Sequence, residues 1–510
     1  MIEPDGEAVV RESEPYRSAL DRTARESLLY LPGKLAFAIM AVVAIPVYTH
    51  FFTKDEIGRF DLALRFGLFV WTLCVLWLNN ALLRFYPTYA QRNEEASFLG
   101  VVTLLKWVGL VVGVGLCFAA RKFLPDRLVG SYRDFLGLAA LVFVGRSSLE
   151  LGLTLLAAKR KPETYSVVST VDAVAKLAVG VLIAVGFKVG VAGLLWGAAI
   201  VPFAVYFGGI HRQFGPSQLA FGPSERRMLR ELIAYGTPIC LSLVFSFFLA
   251  NIDRYILKYL TDDGDGQVGI YSIGYFLADQ PIQFIYSTLM LAAFPAAMHL
   301  FEASGSAAAE KLVRSLIRLY LLVGVPTCVL LGVLARPILY AIAFGEPRAS
   351  YVVVPWLAAA ALVLGLMQYY SIGLYIGKRT FLLLGAMVSA TALNSLLNVL
   401  LIPRYEYYAC GIARVLSNAA LLLLVAAAAR PHLRIRFPVV PFLRILGASA
   451  AAGAVLYLAQ TWLPVNRVAV AALFCAGFGL YGILAVAVGE VSREEVRRFL
   501  NHVPLWRSGT

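Results

Sequence analysis

The chain has 510 residues, of which 60% are hydrophobic and only 15% charged, and it carries a formal net charge of +14. Soluble domains lie nearer half apolar and a quarter charged. The apolar excess here runs almost end to end, which excludes an ordinary soluble enzyme and points to an all-α polytopic membrane protein. The basic excess reads as Lys- and Arg-rich cytoplasmic loops rather than as a nucleic-acid surface.

Residues 1–27 are polar and charged, with no apolar stretch of the signal-peptide kind, so they read as a cytoplasmic tail. A spanning helix needs about 20 mostly apolar residues. Fourteen such spans follow, at 28–52, 61–86, 98–119, 135–157, 164–186, 190–210, 232–256, 270–298, 313–334, 353–375, 380–402, 410–429, 445–462 and 467–488. A cytoplasmic tail at 489–510 closes the chain. Cys74, Cys117, Cys240, Cys328 and Cys475 lie inside apolar runs, Cys410 lies beside one, and the five His are scattered. Neither a disulfide framework nor a metal or cofactor site is expected.

Basic residues set the orientation. Lys159, Arg160 and Lys161, then Arg212, Arg226, Arg227 and Arg230, then Lys378 and Arg379, and finally Arg430, Arg434 and Arg436 fall in one set of loops. The positive-inside rule puts that set, and both termini, in the cytoplasm. The loop carrying Arg121, Lys122, Arg127 and Arg133 is the exception.

The spans repeat as six and six. Glu56-Ile57-Gly58 after the first span matches Gln267-Val268-Gly269 after the seventh, and Lys159-Arg160 matches Lys378-Arg379. Val191-Ala192-Gly193 likewise matches Ala409-Cys410-Gly411. An even number of spans per half makes the halves parallel repeats about an axis along the membrane normal. The expected organisation is a lobe at 28–210, a cytoplasmic linker at 211–231, a second lobe at 232–429, and two further helices within 445–488.

An ionisable side chain in mid-span costs on the order of 2.5–3.5 kcal/mol, so those present are site candidates. Arg84 and Arg318 lie near cytoplasmic span ends, where they can snorkel to the headgroups. Asp172 and Lys176 stand i,i+4 on one face and can neutralise each other. The spacing of Arg146 and Glu150 is the same, but with Ser147 alongside and no evident packing role. In the seventh span Asn251, Asp253 and Arg254 extend the polar face of Ser242 and Ser246, as a water-filled cavity would require. The eighth carries Asp279, Gln280, Pro281 and Gln283 at mid-depth, where a proline-interrupted helix is a pointer to a transport site.

The punctuation resembles the polysaccharide transporter family, the O-antigen and teichoic-acid flippases of the MOP superfamily. The likeness covers about residues 25–430 and rests on FFTKDEIGRF at 51–60, NIDRY at 251–255 and VGIYS at 268–272. It continues with Arg336-Pro337-Ile338, Phe344-Gly345 and LNSLLNVLLIP at 393–403, where Arg404-Tyr405-Glu406-Tyr407-Tyr408 replaces the family's Gly-containing turn. The resemblance implies a flippase in the bacterial inner membrane that carries a polyprenyl-pyrophosphate-linked oligosaccharide outward, without catalysis, among other polysaccharide assembly proteins. On that reading Arg65, Arg146 and Arg254 are candidates to meet the pyrophosphate, with Arg65 and Arg254 holding it between the lobes. Asp253 and Glu150 would orient these cations, and Tyr271, Tyr275, Tyr369, Tyr370 and Tyr375 would either stack on sugar rings or form an interfacial belt at the span ends. The rival expectations are an organic-cation antiporter of the same superfamily, which would have twelve spans, and a membrane glycan polymerase, which would need a large outer loop.

Overall fold

A computed structural model describes Leu29, residues 31–214, 222–462 and 466–491. The expected tail at 1–27, nearly all of that at 489–510, and residues 215–221 of the expected linker lie outside the described residues.

Helices dominate. The first half contains α1 (Leu31–Phe51), α2 (Lys54–Gln91), α3 (Glu95–Phe123), α4 (Leu136–Ala158), α5 (Pro162–Gly186) and α6 (Ala192–Gly208). The second begins with α7 (Pro223–Leu260) and a continuous run, Gly264–Ile342. That run breaks only at Gly305, whose φ of 79° and ψ of −174° leave the helical region, giving α8 (264–304) and α9 (306–342). Then come α10 (Val354–Ile376), α11 (Thr380–Tyr405), α12 (Tyr407–Ala429), α13 (Val439–Ala459) and α14 (Arg467–Ala487). Twelve of the described helices, the unbroken run counted once, are long and apolar enough to cross a membrane, and α6 is a shorter apolar one. The eighth and ninth expected spans are therefore two long helices joined at a single residue.

Local chemistry fixes the ends. Thr53 caps α2 in a capping box: its hydroxyl accepts from the Glu56 amide at 3.3 Å while the Glu56 carboxylate accepts from the Thr53 amide at 3.0 Å. Inside α2, Thr72–Leu76 forms one π-helical turn, a feature the apolar pattern does not announce. The Leu73 carbonyl there accepts from Cys240 Sγ of α7 at 3.3 Å.

Packing shows the repeat directly. The α1–α5, α4–α6 and α5–α6 pairs of the first bundle recur as α7–α11, α10–α12 and α11–α12 in the second. Helices α13 and α14 lie outside both and pack on α9, where a Cβ on Gly453 or Gly477 would come within 3.0 Å of Val329 or Leu330. In the second bundle Asn394 Nδ2 donates to Ser417 Oγ at 3.0 Å, and Asn398 Nδ2 donates to Asn394 Oδ1 at 3.0 Å. The Asn-rich stretch at 393–403 thus ties α11 to α12 by buried hydrogen bonds. In the basic loop after α3, Arg133 pairs with Asp126 at 3.0 Å and Arg121 with Asp134 at 3.7 Å. The loop remains the exception to the positive-inside count, because that rule counts Lys and Arg rather than net charge.

Candidate functional site: a charged seam above a polar cavity

The bundles meet along α2 and α8. Gly58 and Gly269 lie at the crossing, and a Cβ on either would fall 1.9 Å from a carbonyl oxygen of the other helix. Only glycine permits backbones to approach so closely. We call the helix ends near this crossing the closed end.

An ionic network lies beneath the glycines. Asp61, Asp253, Arg254, Tyr271, Ser272 and Arg414 stand six to eight residues in from their helix ends, roughly 10 Å deep at 1.5 Å per residue, and Arg65 and Tyr275 lie one turn deeper. Asp61 of α2 is its centre: Oδ2 accepts from Arg254 Nε and from Ser272 Oγ, each at 2.8 Å, and Oδ1 accepts from Arg65 Nε at 3.2 Å. On the far side Asp253 accepts from Arg414 Nη1 at 3.0 Å, from Tyr271 Oη at 2.5 Å and from Arg254 Nη1 at 3.3 Å. The Tyr275 ring carries three guanidinium groups, with Arg254 at 4.4 Å, Arg414 at 4.8 Å and Arg65 at 5.6 Å from its centroid. Burying these charges is tolerable only because each is paired and hydrogen-bonded. Nearer the surface a second layer repeats the arrangement, as Asp265 receives Lys258 at 2.6 Å, Ser131 at 2.9 Å and Arg59 at 3.3 Å.

Away from the closed end lies a partly open cavity of about 270 Å³ between α1, α4, α5 and α8. Its polar lining includes Lys34, Arg146, Glu150, Asp172, Gln280 and Gln283. Arg146 Nη2 pairs with Glu150 Oε1 at 2.7 Å, and Lys176 Nζ with Asp172 Oδ2 at 2.7 Å. Buried Arg146 Nε and Asp172 Oδ1 have no hydrogen-bond partner among the described residues. Cavity and network are linked, because Gln283 Nε2 donates to Asp279 Oδ2 at 2.6 Å and Asp279 sits one turn from Tyr275. Arg146 and Phe37 also border a second, mainly apolar chamber of about 210 Å³ inside the first bundle.

The expected site residues therefore divide. Arg146, Glu150, Gln280 and Gln283 line the cavity, and Asp279 lies buried at its inner edge. Arg65, Asp253 and Arg254 belong to the seam, and Arg254 is fully buried. The expected grip of Arg65 and Arg254 on one ligand is occupied by Asp61 instead. Glu150 pairs with Arg146 on its own helix and orients neither seam arginine. Asn251 is buried and donates to the Phe247 carbonyl one turn back. Tyr271 and Tyr275 support the arginines rather than facing a sugar. Tyr369 and Tyr370 are buried in the core of the second bundle, Tyr369 against Tyr320, with centroids 5.4 Å apart. The backbone stays helical through Pro281, so the expected interruption at mid-depth is absent.

Three seam residues escaped the sequence reading: Asp61, Ser272 and Arg414. Asp61 and Arg414 fall in the second turn of their helices, where a charge passes for a headgroup anchor. The signal that would have found Asp61 is its i,i+4 spacing to Arg65, together with the repeat, which sets it opposite Ser272.

No curated protein sequence matches the chain. Among solved structures, the lipid II flippase MurJ in an inward closed conformation shares the fold with a TM-score of 0.69 at 13% identity, covering 92% of this chain and 98% of that one. A multidrug resistance MATE family transporter of the MOP superfamily, inward-facing, matches with a TM-score of 0.58 at 13% identity over 80% and 93%. The Vibrio cholerae MATE transporter VcmN matches with a TM-score of 0.54 at 14% identity over 82% and 98%. The sequence pattern of one family matches residues 24–301, more than half of the chain: this protein belongs to the polysaccharide biosynthesis protein family, built on the fold of MOP superfamily transporters.

Proposed function

We propose that the protein is a flippase for a lipid-linked oligosaccharide, moving it across the bacterial inner membrane by alternating access. The observation that carries this reading is the polar cavity between two pseudo-symmetric bundles, sealed at one end by an ion-paired seam. The basic loops put the closed end outside and both termini in the cytoplasm, so the cavity faces the leaflet where such glycans are assembled. Polar and charged groups at membrane depth suit a hydrated glycan, and the Arg146 fork suits its pyrophosphate. Family membership and the fold shared with a lipid II flippase support the same class. A polyprenyl-pyrophosphate unit of the O-antigen, exopolysaccharide or teichoic-acid kind is the proposed cargo, and other polysaccharide assembly proteins are the proposed partners.

The test is reconstitution into vesicles with defined polyprenyl-pyrophosphate oligosaccharides, followed by the appearance of glycan on the opposite leaflet. Transfer that depends on the protein and on the lipid-linked glycan supports the proposal. Transfer of organic cations in place of the glycan would overturn it in favour of the antiporter reading.

A further inference from the structure

The guanidinium of Arg254 is unevenly filled. Nη1 is served by its own helix, donating to Asp253 Oδ1 and to the Ala250 carbonyl, each at 3.3 Å. The opposite edge, Nε with Nη2, is the one that grips an oxyanion with two parallel hydrogen bonds. There Nε donates to Asp61 Oδ2 at 2.8 Å, while Nη2 is buried and has no hydrogen-bond partner among the described residues. Asp61 leaves the fork half filled, since its other oxygen is turned to Arg65 Nε at 3.2 Å.

Asp61 and Arg254 also sit on opposite sides of the seam. If α2 parts from α8, Asp61 leaves with Arg65, its i+4 neighbour on α2, as a neutral pair. Arg254 stays with Asp253 and Arg414, and the Ser272 hydroxyl stays on α8 without its acceptor. What remains is an empty fork with a hydroxyl beside it, a donor set complementary to phosphate oxygens.

We propose that Asp61 is a resident anion on the Nε/Nη2 edge of Arg254, and that a phosphoryl group takes that edge, with the Ser272 hydroxyl, when the seam opens. The exchange makes the closed seam and bound phosphate mutually exclusive, so each weakens the other by the same factor. Closure then expels the phosphoryl group. The inference rests on the flippase reading only for the source of that group.

The test uses the full chain in vesicles with Val268→Cys, or Ile57→Cys if the first does not accumulate, as a reporter buried at the seam. Its labelling by a membrane-impermeant maleimide is read at that position by mass spectrometry. Inorganic pyrophosphate is added in one arm, and polyprenyl phosphate is included in the vesicles in the other. Labelling should rise about fivefold or more with at least one of them, the rise should vanish in Arg254→Gln, and Asp61→Asn should raise labelling without any addition. A response to both probes assigns the site to the phosphoryl group alone, and a response to the lipid only assigns it to lipid-linked phosphate. No response to either, or an unchanged response in Arg254→Gln, overturns the proposal. Should Asp61→Asn not accumulate, the Arg254→Gln comparison decides. Glycan transfer in the same vesicles is scored separately, so transfer can fail while this exchange stands.

Discussion

Gly58 and Gly269 are equivalent residues of the two halves, and their backbones touch: a Cβ on Gly58 would lie 3.1 Å from the Gly269 nitrogen, and one on Gly269 would lie 3.2 Å from the Gly58 nitrogen. The pseudo-two-fold axis therefore passes between them. The next equivalent pair inward, 211 residues apart, is Asp61 and Ser272, joined by a hydrogen bond of 2.8 Å. Repetition in the sequence thus becomes a contact between equivalent positions, and the inner pair is asymmetric, an acid facing a hydroxyl.

Gly58→Ala and Gly269→Ala should each force the closed end apart. The clash in both is with backbone, at 1.9 Å from the Asp265 or Lys54 carbonyl oxygen, so no side chain can swing away. Overpacking of this kind costs about 1–3 kcal/mol, charged here to the closed conformation. Spin labels at Phe51 and Tyr259, exposed near the closed ends of α1 and α7, should show a larger share of long distances in either variant. Distances and melting temperature both unchanged would refute the crossing as the seal.

How much of this was legible in the sequence follows from what each feature leaves behind. Span count and the six-plus-six repeat are carried by hydropathy and by short punctuation such as Ile57-Gly58, so they could be read. Arg146, Glu150, Gln280 and Gln283 stood out because polar groups in mid-span are costly. The seam was only half readable. Arg65 and Arg254 were visible as charges, but the Arg254–Asp61 and Arg414–Asp253 pairs form only where helices cross, and Asp61 and Arg414 hide at span ends where charge is cheap. Pro281 misled for the converse reason: the backbone stays helical through it, and the break falls at Gly305, inside the connection expected between the eighth and ninth spans.

Gly305→Ala tests that turn. Nothing lies within 4 Å of the position a Cβ would take, so the cost is backbone alone, about 1–3 kcal/mol for a φ of 79° that only glycine adopts freely. A lower melting temperature is expected, with α8 and α9 reoriented at their junction. A variant as stable as the parent would mean that the turn relaxes without penalty.

Arg414 and Asp253 should couple strongly in stability. Arg414→Gln takes from buried Asp253 its nearer cation and leaves it Arg254 and Tyr271, and breaking a buried pair costs up to about 3–5 kcal/mol. Adding Asp253→Asn removes the carboxylate that lost this partner, so the double variant should melt above the sum of the two single losses. A thermal-unfolding double-mutant cycle measures the interaction, expected within about 0.5–3 kcal/mol. Simple additivity would show that the pair contributes nothing to the seam.

Arg146 offers the sharpest separation of function from fold. Its partner Glu150 lies one turn away on α4, so the pair crosses no seam and its loss leaves the closed end untouched. Its guanidinium faces the cavity beside Trp71, 5.6 Å from the ring centroid, with Nε unpaired. Arg146→Ala should thus keep normal abundance while glycan transfer falls about tenfold or more, the equivalent of losing one charged hydrogen bond to the ligand. Arg146→Lys keeps the charge but loses the two-pronged geometry, so its rate should fall between the parent and the Ala variant. Glu150→Gln frees the guanidinium from its carboxylate, and retention of the anionic lipid should increase at the expense of release. The three variants, compared in the same vesicles with abundance measured alongside, give an ordered series if Arg146 meets the phosphate. Full transfer in Arg146→Ala would remove this residue from the mechanism, and equal loss of abundance in Arg146→Ala and Arg146→Lys would make it a packing residue instead.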